Sequence, residues 1–289
     1  MATEFRAAGG PEGRPAPTGL ARRGRRLSDQ ETGQRMLQAA VAMVHRTGLT
    51  VSLDHISFED VIRDADVSRS AVYRRWPYKD LFFSDLVKEL ARDATPPAIA
   101  SDEVNLIQQI VAERLDWLET PEGRRRLLLE LFRQLSLLDF DTLYRSPEWR
   151  TYLALHATFV SLADGELRDE VQEILATSER EHTAQVAAAW ERLAALFGYR
   201  LRPGATFAVL ATLLSATMRG LIITALSLPE MTGPQARGNP FGAEGDWSLD
   251  AIALTSIALA FLEPDPEVTW DRDRITAVGQ AIGSLSLPE

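Results

Sequence analysis

Apolar residues recur at three- and four-residue intervals along most of the chain, which is the spacing of one face of an α-helix. The first such stretch follows Ser28, a potential helix cap, and ends at Gly48. Further stretches of this kind occupy residues 102–119, 122–138, 147–163, 166–197, 204–228 and 248–262. The sequence shows no strand-like alternation of any length, so the pattern predicts an all-α protein.

Two short helices joined by a tight turn are predicted between Ser57 and Lys79. Ser57 is a potential cap of the first helix, and Asp60 occupies the capping-box position three residues later. Ser68 can cap the second helix, which ends before Pro77 because proline disfavours helical geometry in the preceding residue. Two short helices separated by such a turn predict a helix-turn-helix.

The second short helix has one apolar face and one polar face. Val72 and Trp76 are four residues apart and can pack against the first helix. The opposite face carries Arg69, Ser70, Tyr73 and Arg74. Arginine can donate two hydrogen bonds to guanine in the major groove, whereas serine and tyrosine suit phosphate oxygens. The polar face is either a DNA-binding surface or an ordinary solvated face, and the agreement of caps, turn and apolar face favours DNA.

This stretch resembles the helix-turn-helix of the TetR family of transcriptional regulators, whose pattern runs roughly I-A-x-x-A-G-V-S-x-x-x-x-Y-x-x-F-x-x-K-x-x-L. The matching residues are Val61, Ala65, Val67, Ser68, Tyr73, the aromatic Trp76, Lys79 and Leu81. Ile62, Asp66 and Trp76 stand where the family usually has alanine, glycine and phenylalanine. Aspartate tolerates the left-handed backbone of a tight turn. The resemblance covers about residues 30–90 and implies a ligand-responsive, dimeric DNA-binding protein.

The predicted DNA contacts extend beyond the second short helix. Lys79 begins the next helix, where its ammonium and free backbone N–H groups can hold a phosphate, and the resemblance marks it as a phosphate contact. An arginine-rich arm precedes the first helix and is either a contact to phosphates and the minor groove or a solvated tail. The predicted contacts are Ser57, Ser68, Arg69, Ser70, Tyr73, Arg74 and Lys79, with Arg22, Arg23, Arg25 and Arg26 in the arm.

Charge is distributed unevenly along the 289 residues, whose formal net charge is -10. Residues 1–95 contain 15 Lys and Arg against 13 Asp and Glu, and the remainder contains 16 against 28. A slightly basic front on an acidic body suggests a nucleic-acid-binding module joined to a regulatory one. There is no cysteine, which excludes disulfides and thiol chemistry. The N-terminus lacks a signal-peptide pattern, so we expect a cytoplasmic protein.

The boundaries follow breaks in the helical pattern. We predict a disordered basic arm at 1–27, a helix-turn-helix domain at 28–94, a helical ligand-binding and dimerisation domain at 98–263 and a tail at 264–289. The resemblance implies that helices 204–228 and 248–262 pair with their copies in a homodimer. The first could span a membrane by length, but it contains Arg219, and the second is too short, so we expect no membrane association.

Aromatic residues concentrate in the middle helices. Trp149, Tyr152, His156 and Phe159 fall on one helical stripe. The stripe is either the wall of a ligand pocket, with Tyr152 and His156 as polar handles, or a plain core in which a backbone carbonyl satisfies His156. The candidate ligand-binding residues are Trp117, Phe132, Trp149, Tyr152, His156, Phe159, Trp190 and Met218.

Sequence features of enzymes are weak. No glycine-rich phosphate loop follows a predicted strand, and the four histidines are scattered. Glu179 and His182 share a helix face but lack a second pair of metal ligands, so we expect no metal, no cofactor and no catalytic residues. The sequence predicts a homodimeric repressor that binds a palindromic operator and is released by a small apolar or amphipathic effector. The alternatives are a helix-turn-helix protein without small-molecule control and a helical enzyme with a relic DNA-binding domain.

Overall fold

The computed structural model describes residues 27–48, 56–93, 101–238 and 240–285. Within them lie eleven α-helices, which confirms the all-α prediction. The helices are α1 Asp29–Thr47, α2 Phe58–Asp64, α3 Arg69–Arg75, α4 Lys79–Asp93, α5 Ser101–Glu113, α6 Pro121–Arg145, α7 Pro147–Ser161, α8 Glu166–Leu196, α9 Phe207–Ser227, α10 Leu249–Phe261 and α11 Arg272–Gly283. The helix α6 continues past the predicted end at residue 138 to Arg145.

Two small antiparallel sheets were not predicted. The strand β1 (Tyr199–Leu201) pairs with β4 (Leu262–Pro264), which joins the end of α8 to the end of α10. The strand β2 (Ala236–Gly238) pairs with β3 (Gly245–Trp247). Each strand has only three residues, too few for alternation to stand out in the sequence.

Serine caps begin the first three helices. Ser28 and Glu31 form a complete capping box on α1. The Ser57 hydroxyl accepts a hydrogen bond from the Asp60 backbone N–H at 3.3 Å, and the Ser68 hydroxyl accepts one from Ala71 at 3.4 Å. Between α2 and α3, Asp66 adopts φ 51°, the left-handed conformation that glycine usually supplies.

The front helices share their apolar core with the body. Met36 of α1, Val61 of α2 and Leu86 of α4 lie in one buried cluster with Leu155 of α7 and Val171 of α8. The predicted boundary near residue 97 lies outside the described residues, but the packing itself is continuous. The helix-turn-helix unit therefore rests on α7 and α8.

The remaining helices enclose a second core. The helix α9 packs against α8 and α10, and α10 packs against α6. Val278 and Ile282 of α11 are buried in the same cluster, and the Gln108 side chain donates hydrogen bonds to carbonyls at the end of α11, including Ile282 at 3.2 Å. Most of the predicted tail at 264–289 is thus part of the body.

The segment between α9 and α10, which is rich in glycine and proline, is packed against α6. Trp247 is fully buried and contacts Leu129 in a small apolar cluster. Arg125 and Arg133 of α6 donate hydrogen bonds to the backbone carbonyls of Phe241 and Asp246, at 3.0 and 3.3 Å. These contacts hold the segment across the outer face of α6.

Candidate nucleic-acid interface and central cavity

The helix α3 presents the polar face that its sequence predicts. Val72 and Trp76 are buried against the front core. The side chains on the other face are exposed: Arg69, Ser70, Tyr73 and Arg74. An exposed helix surface that combines guanidinium, hydroxyl and phenol groups can contact both base edges and phosphates.

The polar side chains of α3 are paired with carboxylates of the same domain. The Arg69 guanidinium lies 2.8 Å from a Glu59 carboxylate oxygen, and the Tyr73 hydroxyl donates to the other oxygen at 3.0 Å. That hydrogen bond raises the pKa of Tyr73 above its ordinary value. Arg74 forms an ion pair with Asp29 at the start of α1. Exposed pairs of this kind contribute about 0–1 kcal/mol each, so they exchange readily for phosphate contacts.

Trp76 joins the end of α3 to α4. Its indole N–H donates to the Asp85 carboxylate at 2.9 Å, and its ring meets Phe82 edge-on with centroids 5.1 Å apart. The Arg75 guanidinium lies over the other side of the ring. A phenylalanine, the usual residue here in the family that the motif resembles, could fill the space but could not donate the hydrogen bond.

The other predicted DNA contacts lie at the starts of α2, α3 and α4 or outside the described residues. The hydroxyls of Ser57 and Ser68 accept their capping hydrogen bonds and retain a proton to donate. Lys79 is exposed at the first residue of α4. The arm residues Arg22, Arg23, Arg25 and Arg26 fall in the part of the chain that is not described.

A central cavity of about 190 Å³ lies among α5, α6, α8, α9 and α10. Four predicted pocket residues line it: Phe132, Trp149, Trp190 and Met218. The rings of Phe132 and Trp190 stack with their centroids 5.1 Å apart and form one continuous aromatic wall. The walls are otherwise mainly leucine and alanine, as is typical of small-molecule sites.

Four other predicted pocket residues do not line this cavity. Trp117 packs beneath the Arg126 guanidinium, 4.3 Å from it, outside the cavity. Phe159 packs against the front core and contacts Arg168. Tyr152 and His156 face Glu179, and the His156 Nδ1 lies 3.0 Å from the Tyr152 carbonyl oxygen. The helix α7 directs its aromatic stripe toward α8 and the front domain, and of that stripe only Trp149 reaches the cavity.

A partly buried polar cluster links α7, α8 and α9 beside the cavity. The Tyr152 hydroxyl donates to Glu179, and the Arg219 guanidinium lies 2.8 Å from the other oxygen of that carboxylate. Burial alone would raise the pKa of Glu179, but these two hydrogen bonds lower it below its ordinary value. Burial and the bond to Glu179 raise the pKa of Tyr152. Glu179 is therefore held as an anion between a neutral phenol and a cation.

The cavity also contains polar residues that the sequence interpretation missed, namely Glu103, Ser136, Asp139, His182, Ser215 and Arg219. Asp139 lies in the part of α6 beyond its predicted end, and Glu103 reaches the cavity from α5, so no local motif joins them. Burial, a hydrogen bond with Glu103 and the charges of Glu103 and Asp250 raise the pKa of Asp139 well above its ordinary value. The wall of the central cavity thus has an acidic region at Glu103 and Asp139.

The helix α9 has an apolar face that nothing in the described chain covers. Val209, Leu213, Ile223 and Leu226 are each 41–53% exposed. The helix is long and apolar enough to cross a membrane by length and composition, and 33% of that stretch is buried. Among the small residues of α9 and α10, Ala216, Gly220, Ser256 and Ala260 face outward, whereas Ala211 and Ala258 are buried within the protomer.

Among the described residues, no group of three or more His, Asp or Glu side chains is placed to hold a metal ion. Glu179 and His182, the one pair that shares a helix face in the sequence, are not arranged as a metal site, since Glu179 bonds to Tyr152 and Arg219.

Comparisons with known proteins returned solved structures only. A scan of protein-family models and a search of curated proteins yielded no match. SmeT, the repressor of the Stenotrophomonas maltophilia multidrug efflux pump SmeDEF, is 19% identical over 83% of this chain and 96% of its own, with a TM-score of 0.38. A SmeT–triclosan complex is 20% identical over 89% and 99%, with a TM-score of 0.40. TylP, a TetR regulator from Streptomyces fradiae, is 15% identical over 90% and 94%, with a TM-score of 0.37.

Proposed function

We propose that this chain is a DNA-binding transcriptional regulator of the TetR type, a cytoplasmic repressor that acts as a homodimer. The observation that carries the proposal is the exposed face of α3, on which Arg69, Tyr73 and Arg74 point outward from a helix anchored by buried Val72 and Trp76. Capped helices, a left-handed turn residue and the small excess of basic residues over residues 1–95, which the arginine-rich arm supplies, agree with this assignment. Lys79 at the start of α4 supplies a phosphate contact beside it.

Recognition follows the geometry of other helix-turn-helix proteins. The helix α3 enters the major groove, and Arg69 and Arg74 contact base edges while Ser70, Tyr73 and Lys79 contact phosphates. The acidic partners Glu59 and Asp29 lose their bonds to α3 on binding. The rest of the chain, with its excess of acidic residues, is repelled by DNA and so orients the front domain toward it.

The apolar face of α9 supports a homodimer. A face that exposes Val209, Leu213 and Ile223 around the small residues Ala216 and Gly220 suits close packing against a second copy of the same helix. Exposed Ser256 and Ala260 let α10 join the interface. A two-fold dimer places two copies of α3 about 34–36 Å apart, and a palindromic operator matches that spacing.

The helix α7 provides a physical link between the cavity and the DNA-binding domain. Its residue Trp149 lines the cavity, whereas Leu155 is buried in the core shared with α1 and α4. The Tyr152–Glu179–Arg219 group ties the same helix to α8 and α9. An effector that displaces Trp149 or Arg219 therefore moves α7, against which the front domain packs. The difference between the effector's affinities for the DNA-binding and the released conformations determines how far DNA binding is weakened.

Selection of bound sequences from a random DNA library, at a stated salt concentration, tests the proposal. We expect full-length protein to enrich a two-fold palindrome with half-sites one helical turn, about 10–10.5 base pairs, apart or a multiple of it. A variant with both Arg69→Ala and Arg74→Ala should lose the enrichment. Arg237→Ala, which removes an exposed arginine on β2, should retain it and serves as the matched control.

The outcomes distinguish the proposal from its alternatives. Failure to enrich any sequence, with protein as purified and again after refolding free of small molecules, would contradict DNA binding. Enrichment that no small molecule changes would support a helix-turn-helix protein under other control. Turnover of a substrate without DNA binding would support the enzyme alternative.

A further inference from the structure

The central cavity is apolar on most of its surface but acidic in one region. Glu103 from α5 and Asp139 from α6 line it and share a hydrogen bond between their carboxyl groups. Asp250 from α10 lies close enough to Asp139 to act on it electrostatically. Asp250 is 2% exposed, and its Oδ2 has no hydrogen-bond partner within the described chain. Two carboxyl groups thus meet in the wall of a largely apolar cavity, with a third acidic side chain near them.

A second polar feature of the wall is independent of these acids. Trp149 is 5% exposed and lines the cavity, and its indole N–H has no acceptor among the described residues. A buried donor without a partner is costly, so it marks a place where a bound molecule can supply an acceptor. The stacked rings of Phe132 and Trp190 line the cavity and offer an aromatic surface to a flat or cationic group.

From this arrangement we infer that the cavity binds a small amphipathic organic cation, with its ammonium group at the Glu103–Asp139 carboxyls and its apolar body against Phe132 and Trp190. An acceptor atom on the ligand would satisfy the Trp149 indole N–H. The inference rests on the proposed function, because it names the chemical class of the effector. A carboxyl pair in the wall of an apolar cavity suits an ammonium, whose charge it neutralises with charge-assisted hydrogen bonds.

The volume restricts the size of the ligand. A dry protein cavity of about 150 Å³ holds benzene. The 190 Å³ here therefore fits one aromatic ring with a short side chain, without movement of the walls. Phenethylamine has these dimensions and charge. Two other probes have nearly the same shape. Phenethyl alcohol replaces the ammonium with a neutral hydroxyl, and phenylacetate replaces it with a carboxylate anion.

Binding of a cation here is coupled to proton release. Burial and the neighbouring carboxylates hold the pKa of Asp139 well above its ordinary value, so the Glu103–Asp139 pair keeps a proton to a higher pH than an exposed aspartate does. The other charged or titratable side chains on the wall are His182 from α8, Tyr199 from β1 and Arg219 from α9. Arg219 forms an ion pair with Glu179 at 2.8 Å, so the Glu179 carboxylate offsets most of its positive charge. An arriving ammonium favours ionisation of the pair and expels the shared proton.

Calorimetry with full-length protein tests the inference. Each of the three probes is titrated at pH 7 in two buffers of different ionisation enthalpy, which reveals protons released on binding. We expect phenethylamine to bind about tenfold or more tightly than phenethyl alcohol, since hydrogen bonds to charged groups are the stronger class. We also expect it to release up to one proton, and phenylacetate to bind more weakly than either.

Substitutions identify the groups responsible. Asp139→Asn should lower phenethylamine affinity about tenfold and abolish proton release, while the affinity for phenethyl alcohol stays unchanged. Glu103→Gln provides a second variant with the same expected result, in case one of them folds poorly by thermal melting. Asp141→Asn, on the same helix but half-exposed and paired with Arg145, is the control and should behave as the wild type.

Three results would overturn the inference. They are equal or tighter binding of phenylacetate, no phenethylamine binding, and proton release that persists in both cavity variants. DNA binding is measured separately on the same preparations without any probe. If the protein binds its operator but not the amine, the cationic effector is refuted and the proposed regulator stands. If the protein binds the amine but no DNA, the proposed regulator is refuted and the cation site stands.

Discussion

The Tyr73 hydroxyl of α3 donates a hydrogen bond of 3.0 Å to the Glu59 carboxylate of α2. The same carboxylate holds Arg69 at 2.8 Å, so one acidic side chain engages two of the side chains proposed to bind DNA. In the free protein Glu59 orders the α3 surface. In the proposed DNA complex its charge would lie close to the phosphates and oppose binding.

Glu59→Gln should therefore strengthen DNA binding. Exposed ion pairs contribute about 0–1 kcal/mol, so we expect roughly a two- to fivefold lower Kd at low salt and a smaller gain at high salt. Fluorescence anisotropy with operator DNA measures the effect. Glu122→Gln, an exposed substitution at the start of α6, should leave the Kd unchanged. A weaker Glu59→Gln complex would instead mean that Glu59 positions Arg69 and Tyr73 in the bound state.

The polar side chains of the front domain should divide between affinity and specificity. Tyr73→Ala and Lys79→Ala remove phosphate contacts and should weaken binding to every sequence by a similar factor. Arg69→Ala and Arg74→Ala should relax base preference and cost about 1–3 kcal/mol on the preferred site. Binding to a panel of single-base variants of the selected site measures both effects. Equal losses on every sequence for all four variants would refute this division.

Trp76→Phe should destabilise the protein by about 1 kcal/mol, because it removes the indole donor to Asp85 while retaining most of the buried ring. Urea unfolding measures the change. A double-mutant cycle with Asp85→Ala isolates the interaction, since the two single substitutions remove opposite ends of one hydrogen bond. Strictly additive effects would show that the bond does not contribute.

Asp139→Asn should alter the pH dependence of stability. The folded pKa of Asp139 is raised, so its contribution is fully present below the ordinary aspartate pKa and is lost as pH rises toward the folded pKa. The asparagine does not titrate, so the melting temperature of the variant relative to the wild type should rise by a few degrees between pH 4 and pH 7. Thermal melting across this range tests it, with Asp141→Asn as control. A difference independent of pH would contradict the prediction.

Gly220→Arg should produce monomers. A Cβ atom at this exposed position would meet no neighbouring atom within 4 Å in the protomer, so we expect the fold to tolerate the substitution. A second copy of α9 would not, because a buried charge between the helices lacks a partner. Sedimentation velocity measures the oligomeric state, and Ala277→Arg on the exposed side of α11 is the matched control. A dimeric Gly220→Arg protein would place the interface elsewhere.

Local chemistry was visible in the sequence wherever the interacting groups are close along the chain. The caps of Ser57 and Ser68 and the two faces of α3 depend on neighbours within four residues, and the structure has them as predicted. Most helix boundaries followed from the same kind of signal.

The cavity depended on distant contacts. The stripe from Trp149 to Phe159 indicates which side chains share a face of α7, but not which helix covers each part of it. Glu103 and Asp139 lie on different helices, and only tertiary packing unites them. The arginine bonds that hold the segment before α10 likewise join backbone groups more than one hundred residues away.

The core that α1, α2 and α4 share with Leu155 and Val171 also determines how the chain unfolds. An excised front domain would expose the apolar side chains that α7 and α8 now cover, and its small remaining core would be marginal. We therefore expect the front domain and the body to unfold as one cooperative unit, and the front domain to be unstable as an isolated fragment.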